Sequence, residues 1–209
     1  VKIKQNESKI KKLEYKLRDI SNSKIIENNS LSAFDTQKKY RTASIKINQT
    51  LDTSVEYGFQ ITLTTSYSKK IHFYTRIKYY SSDFFLKEKL DFVNSFHKAT
   101  FGEDDSFNIS PYLEANTNDD STFANVNIHS GKSLITWKKL NPKKLSETIP
   151  TIREINIETA AISFDYYVQA ETDSGIESYH VKEFYRVRYS GNRIYLLAFN
   201  RKMESFFDP

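Results

Sequence analysis

In the last sixty residues, apolar side chains recur at every second position. Ile162, Phe164, Tyr166 and Val168 alternate through one run, Tyr179, Val181, Tyr185, Val187 and Tyr189 through the next, and Ile194, Leu196 and Ala198 through a third. Successive side chains of a strand point to opposite faces, so this spacing gives each run one apolar side. Thr172-Asp173-Ser174-Gly175 and Ser190-Gly191-Asn192 lie between the runs and carry turn-forming residues. The expectation is a three-stranded antiparallel meander over about residues 160–200, with Phe164, Tyr166, Val187 and Leu196 buried on one side. Fifteen Phe and fourteen Tyr in a chain of 209 residues, 38% hydrophobic overall, supply enough apolar surface to exclude global disorder.

The same alternation marks an earlier hairpin. Phe59, Ile61, Leu63, Thr65 and Tyr67 share one face, and Ile71, Phe73, Thr75, Ile77 and Tyr79 repeat the pattern after Ser68-Lys69-Lys70. The opposite face, with His72, Tyr74, Arg76 and Lys78, reads as wet. Ala43, Ile45 and Ile47 suggest a further short strand, as do Phe123–Ile128 and Ser133–Trp137. Residues 84–101 switch to helical spacing: Phe85, Phe92 and Ala99 join Leu86, Leu90, Val93 and Phe96 on one broad stripe. Asp83 is positioned to cap its start and Gly102 its end. Residues 141–148 read as a helical turn with Pro142 in its first position.

The N-terminus shows a different period. Ile3, Ile10 and Leu17 are seven apart, as are Asn6, Leu13 and Ile20, which gives three heptads with five of six seam positions apolar. Residues 3–20 are therefore expected to form an amphipathic helix. Its Ile3, Ile10, Leu13, Leu17 and Ile20 stripe would pack either on a second copy or on the chain's own sheet. The fold class that follows is α+β: an N-terminal amphipathic helix, an antiparallel hairpin, then a helix packed on a curved antiparallel sheet. The domain organisation is a helical stalk or lid over 1–30 and an α+β domain over 31–209, which leaves open a subdivision into 31–82 and 83–209.

The order of elements in 84–200 carries a resemblance. A helix containing Leu90-Asp91-Phe92-Val93-Asn94-Ser95-Phe96 precedes Gly102-Glu103-Asp104-Asp105 and Pro111-Tyr112-Leu113, and the meander follows the phrase Asn156-Ile157-Glu158-Thr159-Ala160-Ala161-Ile162-Ser163-Phe164. This resembles the nuclear-transport-factor-like, or cystatin-like, α+β cone. The 57–80 hairpin lies outside it. The resemblance implies helices packed in the concave side of a curved sheet. Its extracytoplasmic members include lipoproteins and the bitopic subunits of Gram-positive conjugative type IV secretion machines, which combine a membrane anchor, a helical stalk and such a domain.

No chemical motif competes with that reading. The chain lacks cysteine, so disulfides, thiol catalysis and cysteine-bound zinc do not arise. His72, His97, His129 and His180 are scattered, without the spacing of a zinc helix. Ser130-Gly131-Lys132-Ser133 lacks the first glycine of a phosphate loop, since Asn127 stands there. Glu103-Asp104-Asp105 and Asp119-Asp120 lack the alternating ligands of a calcium loop. Asp165, Tyr167 and His180 lie on neighbouring expected strands, but alternation places Asp165 and Tyr167 on the solvent side. No cofactor, metal, catalytic dyad or small-molecule substrate is expected. Thirty-one basic residues against twenty-six acidic ones are well interspersed. The two basic-aromatic runs, with Tyr74, Arg76 and Lys78 in one and Arg186 and Arg188 in the other, read as a sheet face for protein contact before nucleic acid. The expected function is a non-catalytic interaction or assembly module of a bacterial cell-envelope complex, extracytoplasmic and membrane-associated. Its partners would be proteins, including self through the helix, and an anchor would lie upstream of Val1. A small-molecule-binding or enzymatic cone domain, a sheet-face nucleic-acid binder, and a cytoplasmic location are the alternatives.

Overall fold

Ile10–Asp19, the centre of the heptad pattern, is a ten-residue strand in the computed structural model of the chain, which describes residues 1–4, 9–37, 40–53, 55–116, 121–137, 140–173 and 175–206. The expected N-terminal helix and its stalk or lid are thus absent. The molecule is mostly antiparallel β, 52% strand and 12% helix, which corrects the α+β class. The spacing itself explains the misreading. A register shift between Ile10 and Lys12 inserts a bulge, so Ile10 and Leu13 share a face although they are three apart. From there Leu13, Tyr15 and Leu17 follow period two and are all buried. Tyr15 decides the matter, because it lies off the heptad seam yet is 2% exposed. Asn6 lies outside the described residues.

The chain divides into two compact units, Val1–Ser82 and Asp83–Pro209. The first contains β1 (Lys2–Lys4), β2 (Ile10–Asp19), β3 (Ile25–Leu31), β4 (Asp35–Gln37), β5 (Tyr40–Thr42), β6 (Glu56–Thr65) and β7 (Lys70–Lys78). The order β3-β2-β6-β7 makes one antiparallel sheet, and β1-β5-β4 makes a small second one. On the larger sheet Leu13 pairs with Leu63, Tyr15 with Ile61 and Leu17 with Phe59, so one face is continuously apolar. Ala43, Ile45 and Ile47 lie against it from an extended segment that is not a sheet strand. Each large apolar side chain buried there stabilises by about 1.5–3 kcal/mol. A carboxylate pins the covering segment: Glu27 accepts hydrogen bonds from the Tyr15 hydroxyl and from the backbone N–H of Asn48 (2.9 Å) and Gln49 (3.1 Å).

The second unit contains α1 (Leu86–Thr100), β8 (Asn125–Asn127), the short α2 (Lys132–Ile135), β9 (Lys143–Lys144), β10 (Thr151–Ile155), β11 (Thr159–Thr172), β12 (Gly175–Ser190) and β13 (Arg193–Phe206). Residues 133–137 are thus helix and turn in place of the expected strand, and 143–144 are strand in place of the expected helical turn. The sheet order is β10-β11-β12-β13-β8, with β9 beside β11. The expected meander is present as β11, β12 and β13, and Phe164, Tyr166, Val187 and Leu196 are buried. Gly191 and Asn192 take φ 56° and 58° between the Ser190–Arg193 pair, the two-residue turn whose twist suits a hairpin.

Phe92, Val93 and Phe96 of α1 join the core built on β11, β12 and β13. The helix closes on a Schellman motif: Gly102 N–H donates to the Ala99 carbonyl (3.1 Å) and Glu103 N–H to that of Lys98 (2.9 Å). It begins two residues later than its sequence suggests. Phe84 and Phe85 both adopt left-handed φ (52° and 54°), and the Asp83 carboxylate accepts the Phe85 N–H at 3.1 Å. Such conformations cost about 1–3 kcal/mol each. The buried Lys89 offsets this by donating its ammonium to the carbonyls of Phe84 (2.7 Å), Asn156 (2.8 Å) and Ile157 (3.2 Å).

Candidate interaction surface

The outer strand β7 of the first unit is exposed along almost its whole length. On the core-facing side of the sheet, Ile71 pairs with Leu63, Phe73 with Ile61 and Ile77 with Tyr57. Ile77 joins the core, but the covering segment leaves Ile71 37% and Phe73 52% exposed. Among the described residues, no strand pairs with the outer side of Lys70–Lys78. A nine-residue strand presents about 30 Å of unpaired backbone in that arrangement.

The other face of the same sheet is open and basic. Alternation places Lys12, Lys16, Arg18, Lys70, Arg76 and Lys78 there against the two carboxylates Glu14 and Glu56. Glu14 engages Lys12 at 2.9 Å and Glu56 engages Arg76 at 2.9 Å. Tyr74 stands out at 74% exposed. Tyr74, Arg76 and Lys78 thus share one exposed face of the sheet. The Ile10, Leu13 and Leu17 stripe is not a contact surface, because these residues are buried in the unit's own core. Ile3 packs at its margin, and Ile20 is exposed.

Arg186 and Arg188 belong to the second unit and are committed locally. Arg186 reaches Glu154 (3.3 Å), and Arg188 lies over the Tyr195 ring, 5.1 Å from its centroid. On the same unit Asp165 and His180 form a hydrogen-bonded pair (Oδ1–Nε2, 2.6 Å), with Tyr167 stacked on the imidazole at 4.8 Å. The carboxylate can orient this histidine, as a general base requires. The pair stands on an open sheet face where the Asp165 side chain is 56% exposed. An open groove of about 1070 Å³ near the β11–β12 turn is lined by Phe123, Leu140 and Ile176 together with the polar Asn141, Lys143, Gln169 and Glu171.

A second His–carboxylate pair lies inside this unit. His97 of α1 is buried, and its Nδ1 meets Glu183 Oε2 at 2.7 Å. The hydroxyls of Tyr166 and Tyr185 donate to the same carboxylate, each at 2.8 Å. Burial works against the Glu183 charge, but the adjoining His97 and Arg201 charges and these donors outweigh it and pull its pKa to about 2. Burial, reinforced by the Glu183 charge, pushes both tyrosines well above their usual value. Arg201 donates to the carbonyls of Ile135 and Leu134 (both 2.8 Å) and lies 3.4 Å over Trp137. Phe164, Phe101 and Tyr166 pack around the imidazole. Glu183 ties α1 to the sheet through His97, and Arg201 ties α2 to the same sheet through the Ile135 and Leu134 carbonyls. Sequence reasoning missed it, although Glu183 occupies an inward position between Val181 and Tyr185.

Ser130 likewise has a local structural role: its hydroxyl accepts Asn127 N–H at 2.8 Å. Among the described residues, no group of three or more His, Asp or Glu is placed to hold a metal ion, and no helix is long and apolar enough to cross a membrane. Asp119-Asp120 lies outside the described residues. No protein-family model matches the chain, and no curated protein or solved structure shows significant similarity to it.

Proposed function

We propose that the chain is a non-catalytic protein-interaction module that accepts an extended segment of a partner protein along β7 and serves assembly of a bacterial cell-envelope complex. The observation that carries this reading is the β7 edge, with which no strand pairs among the described residues, beside Ile71 and Phe73, which are exposed on a face that is core elsewhere in the sheet. An open edge gives affinity through main-chain hydrogen bonds, and alternate side-chain positions give selectivity. Exposed apolar residues beside such an edge mark it further. The cell-envelope setting, extracytoplasmic and linked to conjugative secretion, rests on the resemblance of residues 84–200 to the cone family. Attachment through an N-terminal helix is no part of the reading.

A photo-crosslinking amino acid at Thr75, which is exposed on β7, tests this in cells that produce the protein. A discrete adduct with another protein that is lost in Phe73→Pro is the expected result. Adducts only from a probe at Tyr195, on the second unit, would contradict it.

A further inference from the structure

Resting on that reading, we infer that the occupant of the β7 edge is an extended segment alternating acidic with apolar residues. The two sides of β7 make different demands. A strand added alongside it continues both faces of the sheet. On the core-facing side its residues meet Ile71, Phe73 and Ile77, whose row pairs with Leu63, Ile61 and Tyr57. On the other side they meet Lys70, His72, Tyr74, Arg76 and Lys78, where six basic side chains face only two carboxylates, each already engaged. Apolar residues suit the first row and carboxylates the second, because opposite charges directly across a strand pair are favourable and like charges unfavourable.

A second copy does not meet these demands. Antiparallel pairing of β7 with itself about Tyr74 sets Lys70 against Lys78 and Arg76 against the His72 imidazole, so no basic position of one copy faces a carboxylate of the other. Lysines on an edge also guard against indiscriminate pairing. That guard leaves acidic strands as the ones admitted.

The test uses the full chain and three capped nonapeptides of alternating sequence, Glu-Val, Ser-Val and Lys-Val. Binding is read by fluorescence anisotropy and its location by amide protection. The Glu-Val peptide is expected to bind about tenfold more tightly than Ser-Val at about 50 mM salt and to protect amides in Lys70–Lys78. Most of that advantage should vanish near 1 M salt. The double variant Arg76→Glu, Lys78→Glu, with its fold checked by circular dichroism, should prefer Lys-Val. Equal binding of all three peptides on β7 would overturn the inference and leave the strand-addition reading standing. If no peptide protects β7 and the chain stays monomeric, the lysines merely guard the edge and both fall. Concentration-dependent self-association through β7, or tighter binding of a single-stranded oligonucleotide to the basic face, would overturn the inference in favour of those occupants.

Discussion

Glu183 is the residue on which the interior of the second unit depends most. Four groups address its carboxylate or its charge, and glutamine there removes the charge and turns into a donor one of the two oxygens that His97, Tyr166 and Tyr185 share. Glu183→Gln should therefore lower stability at neutral pH by roughly 3–5 kcal/mol, the cost of breaking a buried pair. Urea unfolding followed by Trp137, the sole tryptophan, measures this directly. The pH dependence has a definite sign. The carboxyl titrates lower when folded than when unfolded, so its contribution is complete above the ordinary value of 4.5 and is lost as pH falls towards about 2. The variant should lose less stability than the parent across that window. Glu27 acts in the same direction. Burial opposes its charge, but the bonds from Tyr15, Asn48 and Gln49 outweigh it and hold its pKa below the ordinary range. Neither carboxylate was singled out in the sequence. Glu183 lies within an alternating apolar row, so its inward direction was legible. Its partners were not, because His97 comes from α1 and Tyr166 and Arg201 come from the flanking strands β11 and β13.

At the scale of elements, strands were readable wherever period two ran unbroken, and misread where a bulge intervened. In β13, Ile194 and Leu196 face inward as alternation requires. The register then shifts opposite Arg186 and Val187, so Phe199 and Arg201 point inward instead of Ala198 and Asn200. One inserted residue flips every later side chain to the other face. The same device in β2 turned a bulged strand into an apparent heptad. Because Leu17 is a core residue and not a seam residue, Leu17→Ala should cost roughly 2–5 kcal/mol without changing sedimentation mass. Loss of oligomer mass with the fold intact would restore the helical reading. The β12–β13 turn was legible from Ser190-Gly191-Asn192. With φ of 56° at Gly191, Gly191→Val should destabilise by about 1–2 kcal/mol, read as a lower urea midpoint.

Over the whole molecule, composition and alternation indicated the antiparallel strands, the amphipathic helix α1 and its glycine terminus. Which part of the sheet's core face remains uncovered depends on where the Ala43–Leu51 stretch lies, and the apolar spacing of that stretch does not encode it. The basic-aromatic run in β7 was visible as a surface. Its uncovered Ile71 and Phe73, identical in sequence pattern to core residues, became distinguishable only once the sheet order was known. The central claim is that Lys70–Lys78 is an open edge that a partner strand closes. Residue-resolved amide hydrogen exchange on the full chain tests it most directly, first free and then with the Glu-Val peptide. Alternate amides of β7 should exchange rapidly in the free chain and become protected in the complex, while β6 stays protected throughout. Protection of every β7 amide in the free monomer, or rapid exchange that persists in the complex, would contradict it.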